Sequence, residues 1–131
     1  TRLPLIANGD LSGPEHVQAQ VAHLQPACAV MLGRMAVVRP WIFAHWDHPA
    51  EVDYADIWRK MHRYITEDFQ PAPALRRIKM FTKYFAANFA FGHQFRVDVS
   101  HAASLDEAQC RADEFFSRAP ATVGHPTVAG L

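Results

Sequence analysis

The stretch LPLIANGD, residues 3–10, gives the clearest indication of how this chain folds. Its first five residues form a continuous apolar run, which is typical of a strand buried on both faces of a parallel sheet. The next three residues, Asn8, Gly9 and Asp10, are typical of a turn. The stretch therefore predicts a buried strand at 3–7 that ends in a polar, glycine-containing loop.

A helix and a second strand are predicted directly after this loop. Ser12 and Glu15 have the Ser-x-x-Glu spacing of a capping box, and the residues after Gly13 predict a helix over 14–23. Residues 27–32 are again apolar and are followed by Gly33-Arg34, which predicts a second buried strand and loop. This order predicts one βαβ unit, whose strands need neighbours to cover their faces.

Beyond residue 46 the apolar spacing becomes that of helices. Helices are predicted over 52–69 and 74–91, with Gly92-His93 ending the second, and a Ser104 capping box predicts a third helix to Arg118. The weaker segment 95–102 is compatible with a helix or a loop. The inward-facing stripes are predicted to contain Tyr54, Trp58, Met61, Ile65, Phe69, Ile78, Phe81, Phe85, Phe89, Leu105, Ala108, Ala112 and Phe115.

These patterns divide the chain into three parts. Residues 1–46 are predicted to form the βαβ unit, and residues 47–120 a bundle of three or four helices. Residues 121–131 are rich in small residues, Pro and Gly, and predict a flexible tail. The expected fold class is α/β plus α. Because the chain opens without Met directly before a strand, we expect it to be a piece of a longer protein.

The two predicted loops have the composition of a phosphate site. Glycine lets a backbone approach a ligand closely, and the N–H groups at a helix start favour an anion. In (β/α)8 barrels the loops after the last two strands frequently bind phosphate, and Asn8-Gly9-Asp10 and Gly33-Arg34 are one βα unit apart. Each loop could equally be a structural turn in any α/β protein.

The charge distribution is uneven although the formal net charge is zero. Residues 59–96 contain eight Lys and Arg against two acids, an excess of six. Arg76, Lys79 and Lys83 fall on one side of a predicted helix, and Arg59 and Arg63 are four residues apart on the preceding one. Such spacing suits contacts with successive phosphates of a nucleic acid. The alternative is an ordinary solvated helix face.

Cysteine and histidine patterns offer little support for other chemistry. Cys28 and Cys110 are far apart and match no metal-ligand spacing, so neither a metal site nor a disulfide framework is predicted. His45 and His48 have no third ligand at a suitable spacing. No apolar run approaches the roughly 20 residues of a membrane span. The cytoplasm is the expected compartment.

Residues 3–46 resemble the end of the barrel in the dihydrouridine synthase family. The resemblance rests on PLIANGD at 4–10, on AVMLGRMA at 29–36 and on PWIF at 40–43. The family pattern has Ala-Asp-Gly where this chain has Ala27-Cys28-Ala29, a local difference. The resemblance implies an FMN-dependent (β/α)8 barrel, a TIM barrel, followed by a helical domain. It also implies reduction of a uridine in tRNA to dihydrouridine with NADPH.

The resemblance implies roles for particular residues. The FMN phosphate would be bound by Asn8, Gly9, Asp10, Gly33 and Arg34. The tRNA backbone would be bound by Arg59, Arg63, Arg76, Arg77, Lys79 and Lys83. The family's catalytic cysteine and its flavin-ring contacts lie upstream of the matched part, so no catalytic residue is assigned here, and neither Cys28 nor Cys110 takes that role. A full-length monomer is expected.

Two other functions remain open on the residues alone. One is a different FMN-dependent TIM-barrel oxidoreductase that acts on a small molecule, which would share the phosphate loops but would not need a basic helical region. The other is a non-catalytic helical RNA-binding module, which would leave residues 1–46 without a purpose.

Overall fold

The computed structural model describes residues 3–131, so the first two residues of the predicted 1–46 unit lie outside it. Strands β1 (Ile6–Asn8) and β2 (Ala29–Met31) pair in parallel, with Ile6 opposite Ala29 and Asn8 opposite Met31. Helices α1 (Pro14–Ala19) and α2 (Val21–Leu24) connect them. The βαβ order is therefore confirmed, with strands shorter than predicted.

One local prediction for this unit, the capping box of Ser12 and Glu15, is wrong. The N-cap residue of α1 is Gly13, at φ 151°, and no side chain caps the helix. The hydroxyl and N–H of Ser12 instead contact His16 Nδ1 at 3.1 and 3.2 Å. The strands were predicted to need neighbours that cover their faces, and within the described residues Ile6 and Met31 are 59% and 50% exposed. Two paired strands cannot cover each other's faces.

Five further α-helices and one 3-10 turn follow β2. They are α3 (Arg34–Val38), α4 (Tyr54–Asp68), α5 (Pro71–Phe85), a 3-10 turn (Ala86–Asn88), α6 (Gly92–Ser100) and α7 (Leu105–Ser117). Helix α5 begins at Pro71, before the predicted start at residue 74, because Pro71 and Pro73 lie in its first turn, where a missing N–H has no cost. The uncertain segment 95–102 is largely helical, within α6.

Gly92 begins α6, although the sequence predicted that it would end the preceding helix. A Cβ atom at this position would lie 1.8 Å from the carbonyl oxygen of Ala86, so only glycine fits the tight connection. The second capping box, in contrast, is confirmed. Ser104 Oγ accepts a hydrogen bond from the Glu107 N–H at 3.1 Å, and Glu107 Oε2 accepts one from the Ala103 N–H at 2.8 Å. The Ala103 N–H, with Arg111, lowers the pKa of Glu107.

Helices α4 to α7 enclose one apolar cluster with Trp58, Phe85 and Phe95 at its centre, each fully buried. The predicted inward stripes are confirmed, with one exception. Phe69 is 38% exposed, because it follows the last turn of α4 in extended backbone. The Arg77 guanidinium lies 4.0 Å from the centre of its ring.

A second apolar cluster joins the βαβ unit to residues 121–131. It contains Leu11, Leu32, Met35, Val38, Ile42 and Val128. Val128 is only 6% exposed, and Thr122 forms an antiparallel bridge with Phe89. The structure therefore packs this segment onto the rest of the protein, contrary to the predicted flexible tail. Its small residues allow close packing as readily as disorder.

Replacing Trp58 by Phe should lower the free energy of unfolding by about 1–3 kcal/mol. The Trp58 Nε1–H donates to Thr82 Oγ1 at 2.9 Å, and both side chains are buried, so Phe leaves the hydroxyl without this donor. Urea denaturation of Trp58→Phe, Thr82→Val and the double variant measures the effect. The double variant should lose less than the sum of the single ones. Strict additivity would show that the hydrogen bond contributes nothing.

Candidate functional site

The two predicted phosphate loops lie side by side. Because β1 and β2 are parallel neighbours, their carboxyl ends share one edge of the sheet. Across this edge Arg34 Nη2 donates to Asp10 Oδ1 at 2.5 Å. The sequence placed Asp10 and Arg34 at one site from motif order alone, and the structure brings them into contact.

Glycines leave the backbone of these loops accessible. Gly9 has φ 149°, a conformation that side chains disfavour. At Gly33 no described atom beyond the residue itself and its two chain neighbours lies within 4 Å of the position a Cβ would take, so the space beside it is open. The Asn8 side chain is exposed. The loops thus combine free backbone, an amide side chain and a guanidinium, which are the donors that a phosphate monoester accepts from.

Arg34 is held from two sides. Its Nη1 donates to the carbonyl oxygen of Val128 at 3.0 Å while Nη2 contacts Asp10. Asp10 balances the charge of Arg34, so the loops carry no net charge of their own. A bound anion would therefore depend on backbone N–H groups as much as on this ion pair.

The residues of these loops are exposed or half-buried rather than enclosed. The nearby groove of about 550 Å³ lies between α1 and residues 41–54, with Arg39 and His45 in its wall. None of the five residues predicted to bind phosphate lines it. The loops open instead at the edge of a sheet whose strands are exposed.

The profile of the family described as "Dihydrouridine synthase (Dus)" matches residues 1–120. The chain belongs to the dihydrouridine synthase family. The match covers both loops and continues through α7, so it includes the helices that follow the βαβ unit.

Individual members of the dihydrouridine synthase family show the same relation. The chain is 32% identical over 104 residues to tRNA-dihydrouridine synthase B of Escherichia coli (strain K12), covering 72% of this chain and 32% of that protein. It is 47% identical over 47 residues to tRNA-dihydrouridine synthase B of Xanthomonas axonopodis pv. citri (strain 306), covering 36% of this chain and 14% of that protein. A probable tRNA-dihydrouridine synthase of Rhizobium leguminosarum bv. phaseoli is 32% identical over 91 residues, 67% of this chain and 28% of that protein. The chain thus matches a third or less of each relative's length.

The second candidate surface of this family member is the outer face of α5. Arg76, Lys79 and Lys83 lie within about 60° of arc around the helix axis. The opposite side, with Ile78, Phe81 and Phe85, is buried in the core. None of the three cations forms an ion pair with a described residue. We define the basic face as Arg76, Lys79 and Lys83.

Other cations of the predicted RNA surface have acidic partners. Arg59 Nε lies 2.8 Å from Asp113 Oδ1, and Arg63 Nε lies 4.0 Å from Glu67 Oε1. Lys60 Nζ lies 2.7 Å from Asp56. Asp113 and Asp56 fall outside residues 59–96, so counting them reduces the excess of six to four. Exposed ion pairs are weak, and Arg59 and Arg63 remain available to an RNA backbone at little cost.

Sequence reasoning missed a connection centred on Arg39 and Asn88. Arg39 Nε donates to Asn88 Oδ1 at 3.1 Å, and Asn88 Nδ2 donates to the Val38 carbonyl oxygen at 2.7 Å. Arg39 has no acidic partner among the described residues, and burial lowers its pKa. The available signal was Asn88 itself, a polar residue inside the apolar run AANFAF.

Metal and membrane features add nothing to this site. Within residues 3–131, no three His, Cys, Asp or Glu side chains are grouped so that they could hold a metal ion. In the same range, no helix has the length and apolar character to cross a membrane. Cys28 and Cys110 are both free and exposed.

Proposed function

We propose that this chain is the C-terminal portion of a flavin-dependent tRNA-dihydrouridine synthase, which reduces uridine to 5,6-dihydrouridine in tRNA with FMN and NADPH. Residues 1–46 would be the end of the (β/α)8 barrel and residues 47–120 a helical tRNA-binding domain. The observation that carries the proposal is the pair of glycine-containing loops at the ends of adjacent parallel strands, joined by Asp10 and Arg34, in a member of this family.

The loop residues fit the phosphate of FMN in their chemistry. Gly9 and Gly33 would bind it through backbone N–H groups, Asn8 through its amide, and Arg34 through its guanidinium while Asp10 orients that side chain. Bound FMN, once reduced by NADPH, would supply the hydride for the reduction. The residues of this chain would hold its phosphate end, and the groups that contact the ring and the uridine would come from the upstream barrel.

The basic face would hold the tRNA backbone. Phosphate contacts fix the position of an RNA without reading its sequence, which suits an enzyme that presents one uridine to a distant cofactor. The target base must leave its stack to react, so firm anchoring of the surrounding RNA matters for activity. We further propose a monomer that acts in the cytoplasm, where tRNA is present.

The 131-residue chain alone should have no reductase activity and very weak FMN affinity. Its loops are open and its strands lack neighbours, so only the phosphate end of FMN would find partners. Flavin fluorescence titration of the purified chain, beside the full-length protein, measures this. Stoichiometric flavin bound to the 131-residue chain would contradict the proposal. Full-length protein without bound flavin, or unable to form dihydrouridine in tRNA, would overturn the proposed function itself.

A further inference from the structure

Residues 121–131 return from the end of α7 to the two loops. The first part of this segment is fixed to the turn after α5, where the Ala90 N–H donates to the Ala121 carbonyl at 2.9 Å and the Val123 N–H donates to the Asn88 carbonyl at 2.8 Å. Arg39 Nη2 then donates to the carbonyl oxygens of Val123 and Gly124, at 3.0 and 2.8 Å. The path of the segment is therefore defined by backbone hydrogen bonds before it reaches the βαβ unit.

Val128 brings the segment to the phosphate loops. Its side chain is buried in the cluster with Leu11 and Leu32, which follow the loop of β1 and end the run of β2. Its carbonyl oxygen accepts the hydrogen bond from Arg34 Nη1 at 3.0 Å. Val128 thus packs its apolar side chain against residues that adjoin the two loops, and its carbonyl oxygen accepts from the Arg34 guanidinium.

Nothing in the family match assigns a role to this segment. The profile ends at residue 120, and the contacts of Val123, Gly124 and Val128 lie beyond it. Arg34, in contrast, lies within the matched region. A loop inside the family match is therefore supported here by a segment that lies outside that match.

We propose that residues 121–131 position Arg34 for the flavin phosphate, with Val128 as the positioning residue; this rests on the proposed function. A free arginine side chain has many rotamers and loses this freedom when it binds a ligand. Contacts to Val128 on one side and to Asp10 on the other restrict those rotamers before the phosphate arrives. Such preorganisation raises affinity for the phosphate without adding a contact to it.

The test compares FMN with riboflavin, the same flavin without its phosphate, in the full-length protein. Val128→Asn places a polar group in the apolar cluster, so the segment should leave it and withdraw the carbonyl from Arg34. We expect the FMN dissociation constant to rise about tenfold, as for the loss of one charged hydrogen bond. The riboflavin dissociation constant should change less than about twofold. Val128→Ile should keep the parent FMN affinity.

The matched control is Ala129→Asn, which adds the same side chain at the exposed neighbouring position and should leave both affinities unchanged. If Val128→Asn does not fold, as judged by circular dichroism, Val128→Ala gives a milder loss of the same packing. Equal losses of FMN and riboflavin affinity, or no loss of either, would overturn the positioning role. Gly33→Val serves as the reference: if it too fails to distinguish FMN from riboflavin, the phosphate site of the proposed function is wrong.

Discussion

Replacing Gly33 by Val in the full-length protein should weaken FMN binding about 30- to 150-fold, equivalent to roughly 2–3 kcal/mol. Apart from Gly33 itself and its two chain neighbours, no described atom lies within 4 Å of the added Cβ, so the new side chain occupies the open space beside the loop. That space is where the phosphate would approach the backbone. Flavin content after purification and fluorescence titration with FMN measure the loss.

A size series separates ligand exclusion from a backbone effect. Gly33→Ala already gives the backbone the restricted conformations of an ordinary residue. A further loss of FMN affinity from Ala to Val would therefore reflect the space that the larger side chain fills. Ala22→Val, at an exposed position on α2, controls for adding a branched side chain to the same unit. Unchanged flavin affinity in both Gly33 variants would remove this residue from the site.

Removing the basic face should give the second large effect. In Arg76→Ala/Lys79→Ala/Lys83→Ala we expect weaker tRNA binding and a salt dependence reduced by roughly two to three units of slope, since three phosphate contacts are lost. When the salt is raised from 50 to 200 mM, the affinity of the variant for tRNA should therefore fall by a factor roughly 40 times smaller than that of the parent. Flavin content and NADPH oxidation without tRNA should not change. Titration of labelled tRNA at several salt concentrations measures the slope.

The matched control keeps the charge and changes the side chains: Arg76→Lys, Lys79→Arg and Lys83→Arg together. Phosphate contacts tolerate either cation, so this variant should bind tRNA nearly as the parent does. Should the alanine variant retain both the affinity and the slope of the parent, the face is only solvated surface. A large loss in the charge-preserving variant would instead indicate specific bidentate contacts.

Local sequence rules predicted those features whose partners are close in sequence. Ser104 and Glu107 form the expected cap. Ser12 and Glu15 have the same spacing and do not, because Gly13, rather than Ser12, is the N-cap residue of the helix. The rule that glycine ends a helix failed at Gly92, which begins α6 instead. Glycine is required there because a Cβ atom would clash with the carbonyl oxygen of Ala86. The spacing of apolar residues along the sequence does not reveal this contact.

Features that depend on distant partners could not be predicted. Motif order placed Asp10 near Arg34, but nothing in the composition of 121–131 indicated that Val128 would reach the same guanidinium. The acids that pair with Arg59 and Lys60 likewise lie outside the stretch in which charge was counted. Charges counted along a sequence indicate the electrostatic potential of a surface only where the fold brings no oppositely charged side chain from another part of the chain.

The hydrogen bond between Arg34 and Val128 joins residues 94 positions apart, and this separation has a consequence during synthesis on the ribosome. The strands, loops and helices can form as they emerge, since their contacts are largely local. Arg34 cannot reach its final arrangement until residue 128 has been translated and released. If the two loops bind FMN as proposed, the cofactor would enter the finished site only after almost the whole of this sequence has been completed.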